Sequence, residues 1–261
     1  MKFAFSTLGC PDWTLDQIAD AAQRTGFAVE LRGIGDALRA DEVSALWPEH
    51  RAATAQRLRA SGAVLCGIDC SARLAEPAAR AEALAECAFA LDAAAALGAQ
   101  FIRVFGDRIV GAPDECTAYL EDGLRTVCAS AAGCGVSVLL ETHGDFTDPV
   151  LLRAVAVQVN RPEFGLIWDV EHTDTDDSAR RAAFLDALYP WIRHVHLKDR
   201  RGGALCRIGA GEVPLAAVCR ALTDRGYDGY FALEWEKRWH PELPEPDVAL
   251  TDFARFAAQL D

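Results

Sequence analysis

The stretch HVHLKD (residues 194–199) has the alternating pattern of a β-strand that is apolar on one face and polar on the other. Val195 and Leu197 would point to the apolar face, and the two histidines and the lysine to the opposite face. Two imidazoles and an ammonium on one face of a short strand indicate a site for chemistry, provided that the fold turns this face inward. The order of the other elements decides that question.

Strands of this kind alternate with amphipathic helices along the whole chain. The predicted strands cover residues 3–9, 27–32, 64–69, 101–107, 136–144, 164–173, 193–199 and 230–236. The predicted helices cover residues 14–26, 41–61, 76–98, 114–132, 148–159, 178–189, 214–225 and 247–260. Strict alternation predicts a parallel sheet with helical crossovers. Eight such units in 261 residues match a single (β/α)8 TIM barrel of the α/β class, spanning residues 1–261.

An open, doubly wound sheet is the alternative arrangement of the same elements. Folds of that type usually carry a glycine-rich phosphate turn after the first strand. The corresponding segment in this chain, STLGCPDW (residues 6–13), is not such a turn. The sequence therefore favours the closed barrel.

The composition argues against several classes of protein. Apolar residues make up 51% of the chain, which is enough for a large core. The formal net charge is −13 and the basic residues do not run together, which argues against a nucleic-acid partner. No run reaches the roughly 18 apolar residues of a membrane helix, and the N-terminal MKFAFSTLG resembles a strand rather than a signal peptide. We expect a cytoplasmic protein with a small-molecule ligand and no membrane contact, and the sequence leaves a homo-oligomer open.

The chemistry of a TIM barrel lies at the C-terminal ends of its strands. In this chain the ends of the last four strands carry acidic and imidazole side chains: Glu141, His143, Asp169, His172, His196 and Glu234. Val138 and Leu140 would face the helices, so Glu141 would face the barrel axis. The same parity turns His196 and Glu234 inward. A polar site at this rim of the barrel follows.

Three carboxylates and one imidazole would meet at this rim: Glu141, Asp169, Glu234 and His196. Without a counter-charge the carboxylates would repel one another and would be costly to bury. A divalent cation resolves this problem. Oxygen-rich ligation with one nitrogen suits Mn²⁺ first, with Mg²⁺, Co²⁺ and Zn²⁺ also compatible. The sequence therefore predicts one divalent metal ion held by these four residues.

Six further side chains are candidates for substrate binding, and each also has a simpler structural explanation: His172, His143, Lys198, Arg207, Arg103 and Glu30. The histidines can serve as structural hydrogen-bond partners, and Lys198 can pair with Asp199 or Glu234. Glu30 and Arg103 face inward by strand parity, and Glu30 can pair with Arg32 or Arg103. Arg207 lies in a glycine-containing loop after the seventh strand, which is either a cover for the substrate or a flexible turn.

The order of these residues resembles the xylose isomerase-like barrel family, which includes ketose 3-epimerases, hydroxypyruvate isomerases, inosose dehydratases and endonuclease IV. The resemblance extends over nearly the whole chain and rests on Glu141, the Asp169-x-x-His172 motif, His196 and Glu234. It implies that Glu141, Asp169, His196 and Glu234 bind one metal ion. It also implies that the two glutamates move a substrate proton and that His172 contacts a substrate hydroxyl or supports the metal site. In the family, the region around Arg207 often closes over the substrate.

A metal-dependent sugar isomerase or epimerase is the activity that the resemblance implies. The metal would polarise a keto sugar, and Glu141 or Glu234 would remove the neighbouring proton to give an enediolate. Return of the proton to another carbon isomerises the sugar, and return to the other face epimerises it. Loss of a β-hydroxyl would instead make the protein a dehydratase or lyase acting on a keto-inositol or a 3-keto sugar. The motif does not separate these outcomes.

Two further interpretations carry less support. A DNA-repair endonuclease of this fold would need a trinuclear zinc site and a basic groove, whereas this chain has six histidines and an acidic balance. A non-enzymatic partner subunit or sugar sensor would not need all four presumed metal ligands, which are present.

Overall fold

Eight parallel strands close into a barrel in the computed structural model, which describes residues 1–173 and 175–260. The barrel strands are β1 (Lys2–Ser6), β2 (Ala28–Leu31), β3 (Leu65–Arg73), β4 (Phe101–Phe105), β5 (Ser137–Glu141), β6 (Phe164–Asp169), β7 (Ile192–Leu197) and β10 (Tyr230–Leu233). Around the ring they follow the order β1-β10-β7-β6-β5-β4-β3-β2. The prediction of a single (β/α)8 barrel is confirmed.

Eight α-helices surround the barrel: α1 (Leu15–Thr25), α2 (Arg51–Ser61), α3 (Arg80–Leu97), α4 (Pro113–Ala131), α5 (Pro149–Val159), α6 (Ser178–Leu188), α7 (Leu215–Thr223) and α8 (Pro246–Ala257). Their ends follow local sequence signals. Pro149 begins α5, and the Asp148 carboxylate accepts hydrogen bonds from the next free backbone N–H groups. Gly98 ends α3 in the left-handed conformation, with φ of 77°. Within the described residues, no helix is both long and apolar enough to cross a bilayer.

The prediction of a helix over residues 41–61 is wrong for the first half of that range. Two 3-10 turns, Ala40–Glu42 and Ser44–Leu46, occupy this region, and α2 begins only at Arg51. Trp47 has an extended backbone with ψ of 143°. The cause is Pro48, because a proline disfavours helical backbone at the preceding residue and has no N–H to donate.

Side chains alternate between two cores, as strand parity predicts. Seven small or apolar side chains fill the inside of the barrel at its lower level: Ala4, Ala28, Cys66, Phe101, Leu139, Ile167 and Ala232. The intervening residues, such as Val138, Leu140, Val195 and Leu197, pack outward in the larger core that includes the helices. The parity on which the site prediction depended is therefore correct in β5 and β7.

A ring of polar side chains lies above the inner apolar level, at the C-terminal end of the barrel. Each strand contributes one buried member, either from within the strand or from the residue directly after it: Ser6, Glu30, Asp69, Arg103, Glu141, Asp169, His196 and Glu234. We call this set the polar ring. Burying so many polar groups is unfavourable unless they are paired or bind a ligand. The fold therefore concentrates its chemistry where parallel barrels place their active sites.

The glycine-containing segment after β7 is ordered by Asp199. It forms a two-stranded antiparallel hairpin of β8 (Asp199–Arg201) and β9 (Ala204–Cys206), followed by a turn. The buried Asp199 carboxylate accepts hydrogen bonds from the backbone N–H groups of Gly209 and Gly211 at 2.9 Å each, and from that of Val213 at 3.2 Å. A Cβ at position 211 would lie 2.0 Å from Asp199 Oδ1, so the close approach requires glycine.

Asp199→Asn is expected to lower the free energy of unfolding by about 2 kcal/mol, because an amide replaces one acceptor oxygen with a donor that faces backbone N–H groups. Chemical denaturation measures the change, and limited proteolysis should show faster cleavage within residues 200–212. Asp228→Asn is the control, because the Asp228 side chain is 96% exposed and should leave both measurements unchanged. Equal stability of the Asp199 variant and the wild type would contradict this account of the segment.

Candidate functional site

Four side chains of the polar ring converge on one point: Glu141, Asp169, His196 and Glu234. One potential ligand atom from each residue lies within 4.8 Å of the corresponding atoms of the other three, and all four residues are buried. Strand register brings them together. Asp169 on β6 pairs with His196 on β7, and on the other side of β7 the same histidine pairs with Ala232, which lies two residues before Glu234. The structure thus brings together the four residues that the sequence predicted to share a site.

The charges around this point do not balance within the described residues. Five buried carboxylates belong to Glu30, Asp69, Glu141, Asp169 and Glu234, and three buried cations to Arg32, Arg103 and Lys198. With every acid ionised and both histidines neutral, two negative charges remain uncompensated. Protons can balance them in the metal-free protein: burial raises the pKa of Asp69 well above its ordinary value, and although burial lowers the pKa of His196, Glu30, Glu234 and Glu141 raise it well above its own. A bound divalent cation would supply the same two positive charges in place of these protons.

Arg103 and His196 hold the Glu141 carboxylate. Arg103 Nη1 donates to Glu141 Oε2 at 2.7 Å, and His196 Nδ1 lies 3.3 Å from Oε1. Burial alone would raise the pKa of Glu141, but the charges of Arg103 and His196 lower it to about 2. Glu141 is therefore a carboxylate at neutral pH, able to bind a cation or accept a proton.

The Lys198 ammonium lies among the acids of the site. Its Nζ is 2.9 Å from Asp169 Oδ2, 2.7 Å from Glu234 Oε2 and 2.6 Å from Glu236 Oε1. Burial raises the pKa of Asp169 to about 6, although Lys198 and His172 oppose the increase. Burial also acts to raise the pKa of Glu234, but Lys198 and His196 bring it well below the ordinary value. Lys198 therefore faces the site from within the barrel.

Glu30 lies beneath His196 and does not line the cavity. Its two carboxylate oxygens contact His196 Nε2 at 2.8 Å and His194 Nε2 at 3.0 Å. This contact leaves His196 Nδ1 directed at Glu141 and Glu234, at 3.3 and 3.4 Å. A carboxylate on the far nitrogen of a histidine is the common support for a metal-binding imidazole. Glu30 therefore orients His196 with one carboxylate oxygen, while its other oxygen contacts His194.

Two imidazoles form the side of the site next to β5 and β6. The His172 and His143 rings meet edge to face, with centroids 4.6 Å apart. His172 Nε2 is 3.6 Å from Asp169 Oδ2, and His143 Nδ1 is 3.5 Å from Asp107 Oδ1. Both side chains are about one-third exposed, at 30% and 35%, so a ligand above the polar ring can reach them.

A cavity of about 180 Å³ opens at this end of the barrel, and two of the four converging residues, Glu141 and Glu234, line it. Among the predicted residues, its wall includes Arg103, Glu141, His143, Lys198 and Glu234. Sequence reasoning missed other wall residues, which include Arg32, Arg73, Phe105, Asp107, Glu236 and Trp239. Glu236 had a signal in the sequence, because it has the same parity as Glu234 in the segment FALEWEK.

Two arginines that the sequence proposed for substrate binding have protein partners. The structure does not bring Arg207 to the cavity: its Nη2 donates to Asp252 Oδ1 on α8 at 2.7 Å, in a two-pronged ion pair. Arg103 lies at the cavity wall, but its guanidinium binds Glu141 and stacks under the Phe105 ring, with Cζ 3.9 Å from the ring centroid. Its first role in this arrangement is to balance buried acids.

The donor set of the four converging residues fits a divalent cation. Three carboxylates and one imidazole are the oxygen-rich ligands that suit Mn²⁺, Mg²⁺ or Co²⁺, and His196 presents Nδ1 to the carboxylates with its other nitrogen already engaged. Asp169 Oδ2 makes no hydrogen bond among the described residues, and its charged neighbours there are Lys198 Nζ at 2.9 Å and His172 Nε2 at 3.6 Å. Together with the cavity above, the arrangement can bind a cation and a polar ligand side by side.

Comparison with known proteins identifies a family that covers most of the chain. A family model described as “Xylose isomerase-like TIM barrel” matches residues 19–259. The matched range contains all ten residues that the sequence predicted for the site.

Two curated proteins are similar to part of the chain. An inosose dehydratase from Serratia proteamaculans (strain 568) is 27% identical over 157 residues, which make up 51% of this chain and 51% of that protein. A fructoselysine 3-epimerase from Escherichia coli O157:H7 is 26% identical over 130 residues, or 47% of this chain and 46% of that protein. The chain thus matches about half the length of these relatives.

Among solved structures, the 3-keto-D-glucoside 4-epimerase from E. coli in its apo form superposes with a TM-score of 0.80 at 17% identity. The superposition covers 99% of both chains. At this level of identity the likeness shows a shared fold.

Proposed function

Because the chain belongs to the xylose isomerase-like TIM-barrel family, we propose that it is a divalent-metal-dependent isomerase or epimerase of a ketose or keto sugar. One observation carries the proposal: the potential ligand atoms of Glu141, Asp169, His196 and Glu234 lie within 4.8 Å of one another below an open cavity. The partial similarity to an epimerase and a dehydratase of sugar-like substrates agrees with it.

Glu141, Asp169, His196 and Glu234 would hold the metal ion. When bound, the ion supplies a Lewis acid that polarises a carbonyl and its neighbouring hydroxyl. Mn²⁺ is our first candidate from the donor set, and Mg²⁺, Co²⁺ or Zn²⁺ are compatible with it.

Glu141 and Glu234 would move the proton. Both are carboxylates at neutral pH, because Arg103 and His196 lower the pKa of Glu141 and Lys198 and His196 lower that of Glu234 against the effect of burial. Glu141 is the last residue of β5 and Glu234 directly follows β10, which is three positions away in the ring of strands, so the two approach a bound sugar from different sides. One removes a proton beside the carbonyl, and the same or the other glutamate returns it. The carbon and the face that receive the proton decide between isomerisation and epimerisation.

His172, His143 and Lys198 would contact the substrate hydroxyls. The two imidazoles are partly exposed beside the cavity, and the Lys198 ammonium is within hydrogen-bond distance of Glu234. Lys198 also motivates a second candidate activity. An ammonium beside the proton-transfer glutamate can protonate a departing β-hydroxyl, and the partial similarity to an inosose dehydratase agrees with dehydration of a keto-inositol or 3-keto sugar.

Metal analysis followed by isotope exchange tests the proposal. The purified protein should contain one divalent metal ion per chain by mass spectrometry. A panel of ketoses, 3-keto sugars and keto-inositols is then incubated in deuterated water with the metal-loaded protein. Isomerisation or epimerisation should incorporate deuterium without loss of water, whereas dehydration should lower the product mass by one water. Absence of both changes across the panel would contradict both candidate activities.

Glu30→Gln is expected to weaken metal binding by about 10- to 100-fold, because the variant disturbs the contact that orients His196. Competition with a chelating dye measures the dissociation constant without any turnover. Glu86→Gln is the matched control: Glu86 is equally buried, but its carboxylate accepts hydrogen bonds from the Ala40 and Ser71 backbones instead. The control should lose stability and keep its metal affinity. Equal metal affinity in Glu30→Gln and the wild type would remove Glu30 from this role.

A further inference from the structure

Arg32 is a buried cation at the cavity wall that has no acidic partner. It follows directly after β2, is 7% exposed and lines the cavity above the polar ring. The other three cations of the wall are each ion-paired: Arg73 with Asp107, Arg103 with Glu141, and Lys198 with Glu234. Among the described residues, no carboxylate oxygen lies within 4.0 Å of Arg32. Arg32 contributes to the overall charge balance of the buried acids, but a buried guanidinium without a direct ion pair keeps unused donors, so its presence at a cavity points to a ligand.

One backbone carbonyl and one side-chain hydroxyl hold the Arg32 guanidinium, and a second hydroxyl holds its backbone N–H. Its Nη1 donates to the Leu38 carbonyl at 2.7 Å and to Ser71 Oγ at 3.0 Å. Its backbone N–H donates to Thr7 Oγ1 at 2.7 Å. Within the described part of the chain, Nε and Nη2 donate no hydrogen bond. The planar group therefore has free donors in a defined orientation, which is the geometry that carboxylates and phosphates bind.

Arg32 remains charged at neutral pH. Burial and the neighbouring Arg103 lower its pKa to about 10, although the charges of Asp69 and Glu86 oppose the decrease, and this value is still well above neutrality. An anionic ligand group at this position would offset the cost of burial and the repulsion from Arg103.

Arg32 also lies across the barrel from one side of the candidate metal site. In the closed ring of strands, β2 is four positions from β6, which carries Asp169. A ligand that reaches both sides of the cavity therefore meets the acidic cluster at one end and the unpaired guanidinium at the other.

We propose that Arg32 binds an oxyanion of the substrate, so that the substrate is a keto sugar with a carboxylate or phosphate at the end remote from its reacting carbonyl. This inference rests on the proposed function for the identity of the ligand as a keto sugar. Carboxylate and phosphate share the chemistry that Arg32 recognises, namely oxygen atoms with a negative charge that accept hydrogen bonds in one plane.

Calorimetric binding of three probes by the Mn²⁺-loaded protein tests the proposal: D-fructose, D-fructose 6-phosphate and 5-keto-D-gluconate. At least one anionic probe should bind roughly tenfold or more tightly than D-fructose. Preference for the phosphate or for the carboxylate identifies the anionic group. Arg32→Gln should abolish the preference and change D-fructose binding less than about threefold, because only the charged contact is lost.

Two further variants separate anion binding from a structural role. Ser71→Ala removes a protein contact of Arg32 and keeps the charge, so it should retain the preference. Arg32→Lys keeps the charge without the planar fork, so it should bind the anionic probe more weakly than the wild type and more tightly than Arg32→Gln. If Arg32→Gln does not fold, unchanged anion binding by Arg32→Lys overturns the proposal.

The proposal is also overturned if the wild type shows no preference for either anionic probe, including the case in which none of the three binds, or if Arg32→Gln retains the preference. The measurement is independent of turnover. A protein that prefers anionic probes but exchanges no deuterium would refute the proposed activity and leave the role of Arg32 supported.

Discussion

Replacing Glu234 with glutamine is expected to lower the rate of deuterium exchange into the keto-sugar substrate by about 10²- to 10⁴-fold, the usual contribution of a positioned proton-transfer group. The carboxamide keeps the shape of the side chain and one oxygen for a cation or for Lys198, which lies 2.7 Å from the Glu234 carboxylate. It has no basic oxygen to accept a proton. Rates of exchange followed by NMR in deuterated water measure the loss, and thermal denaturation shows whether the barrel remains folded.

Glu236→Gln is the matched control for this prediction. Glu236 lines the same cavity and lies 2.6 Å from the same Lys198 ammonium, but it is outside the four-residue cluster. The control should lose less than about tenfold in exchange rate, because it changes the surroundings of Lys198 and removes no proton acceptor. A large loss in Glu236→Gln combined with normal exchange in Glu234→Gln would assign proton transfer to the wrong glutamate and would contradict our mechanism.

The sequence predicted the barrel and the inward side chains because both depend on short-range periodicity. A buried strand has a period of two, so one outward residue on each side identifies the inward residue between them. This reasoning located Glu30 between Val29 and Leu31, and Arg103 between Ile102 and Val104, and the structure has all four outward residues in the outer core. Convergence of the polar ring then follows from closure of the sheet.

Cavity residues beyond the strand ends could not be located in the same way. Asp107 follows β4 with a positive φ of 68°, and Arg73 belongs to a β3 strand whose register with β4 shifts between Asp69 and Arg73. Loop conformations and bulges of this kind depend on contacts between segments that are distant in sequence. Periodicity carries no information about them, and the predicted third strand accordingly ended too early.

Most partners of the charged side chains could not be predicted from the sequence either. Arg207 meets Asp252, which lies 45 residues later on α8, and Arg32 meets no acid within the described residues. Lys198 was expected to pair with Asp199 or Glu234, and its ammonium contacts Glu234 together with two acids that the sequence did not name, Asp169 and Glu236. An ion pair is decided by distances between elements, so sequence can name the charges at a site and leave open which of them pair.

Arg103→Met is expected to lower the free energy of unfolding of the metal-free protein by about 3–5 kcal/mol, the usual effect of removing one partner from a buried ion pair. Arg103 is 2% exposed, its Nη1 lies 2.7 Å from Glu141 Oε2, and its Nη2 lies 3.6 Å from Asp69 Oδ2. Methionine fills most of the same space but leaves both acids without their cation. Chemical denaturation followed by circular dichroism measures the loss.

Arg73→Met is the control, because Arg73 is 57% exposed in its pair with Asp107 and should contribute no more than about 1 kcal/mol.

Asp69→Asn in the Arg103→Met background should recover part of the loss, because it removes one of the two charges that the first change left unpaired. Added Mn²⁺ should stabilise Arg103→Met more than the wild type if the cation and Arg103 balance the same carboxylates. A loss below about 1 kcal/mol in Arg103→Met would mean that the polar ring tolerates its acids without this guanidinium. Arg103 would then not be the counter-charge on which the buried acids depend.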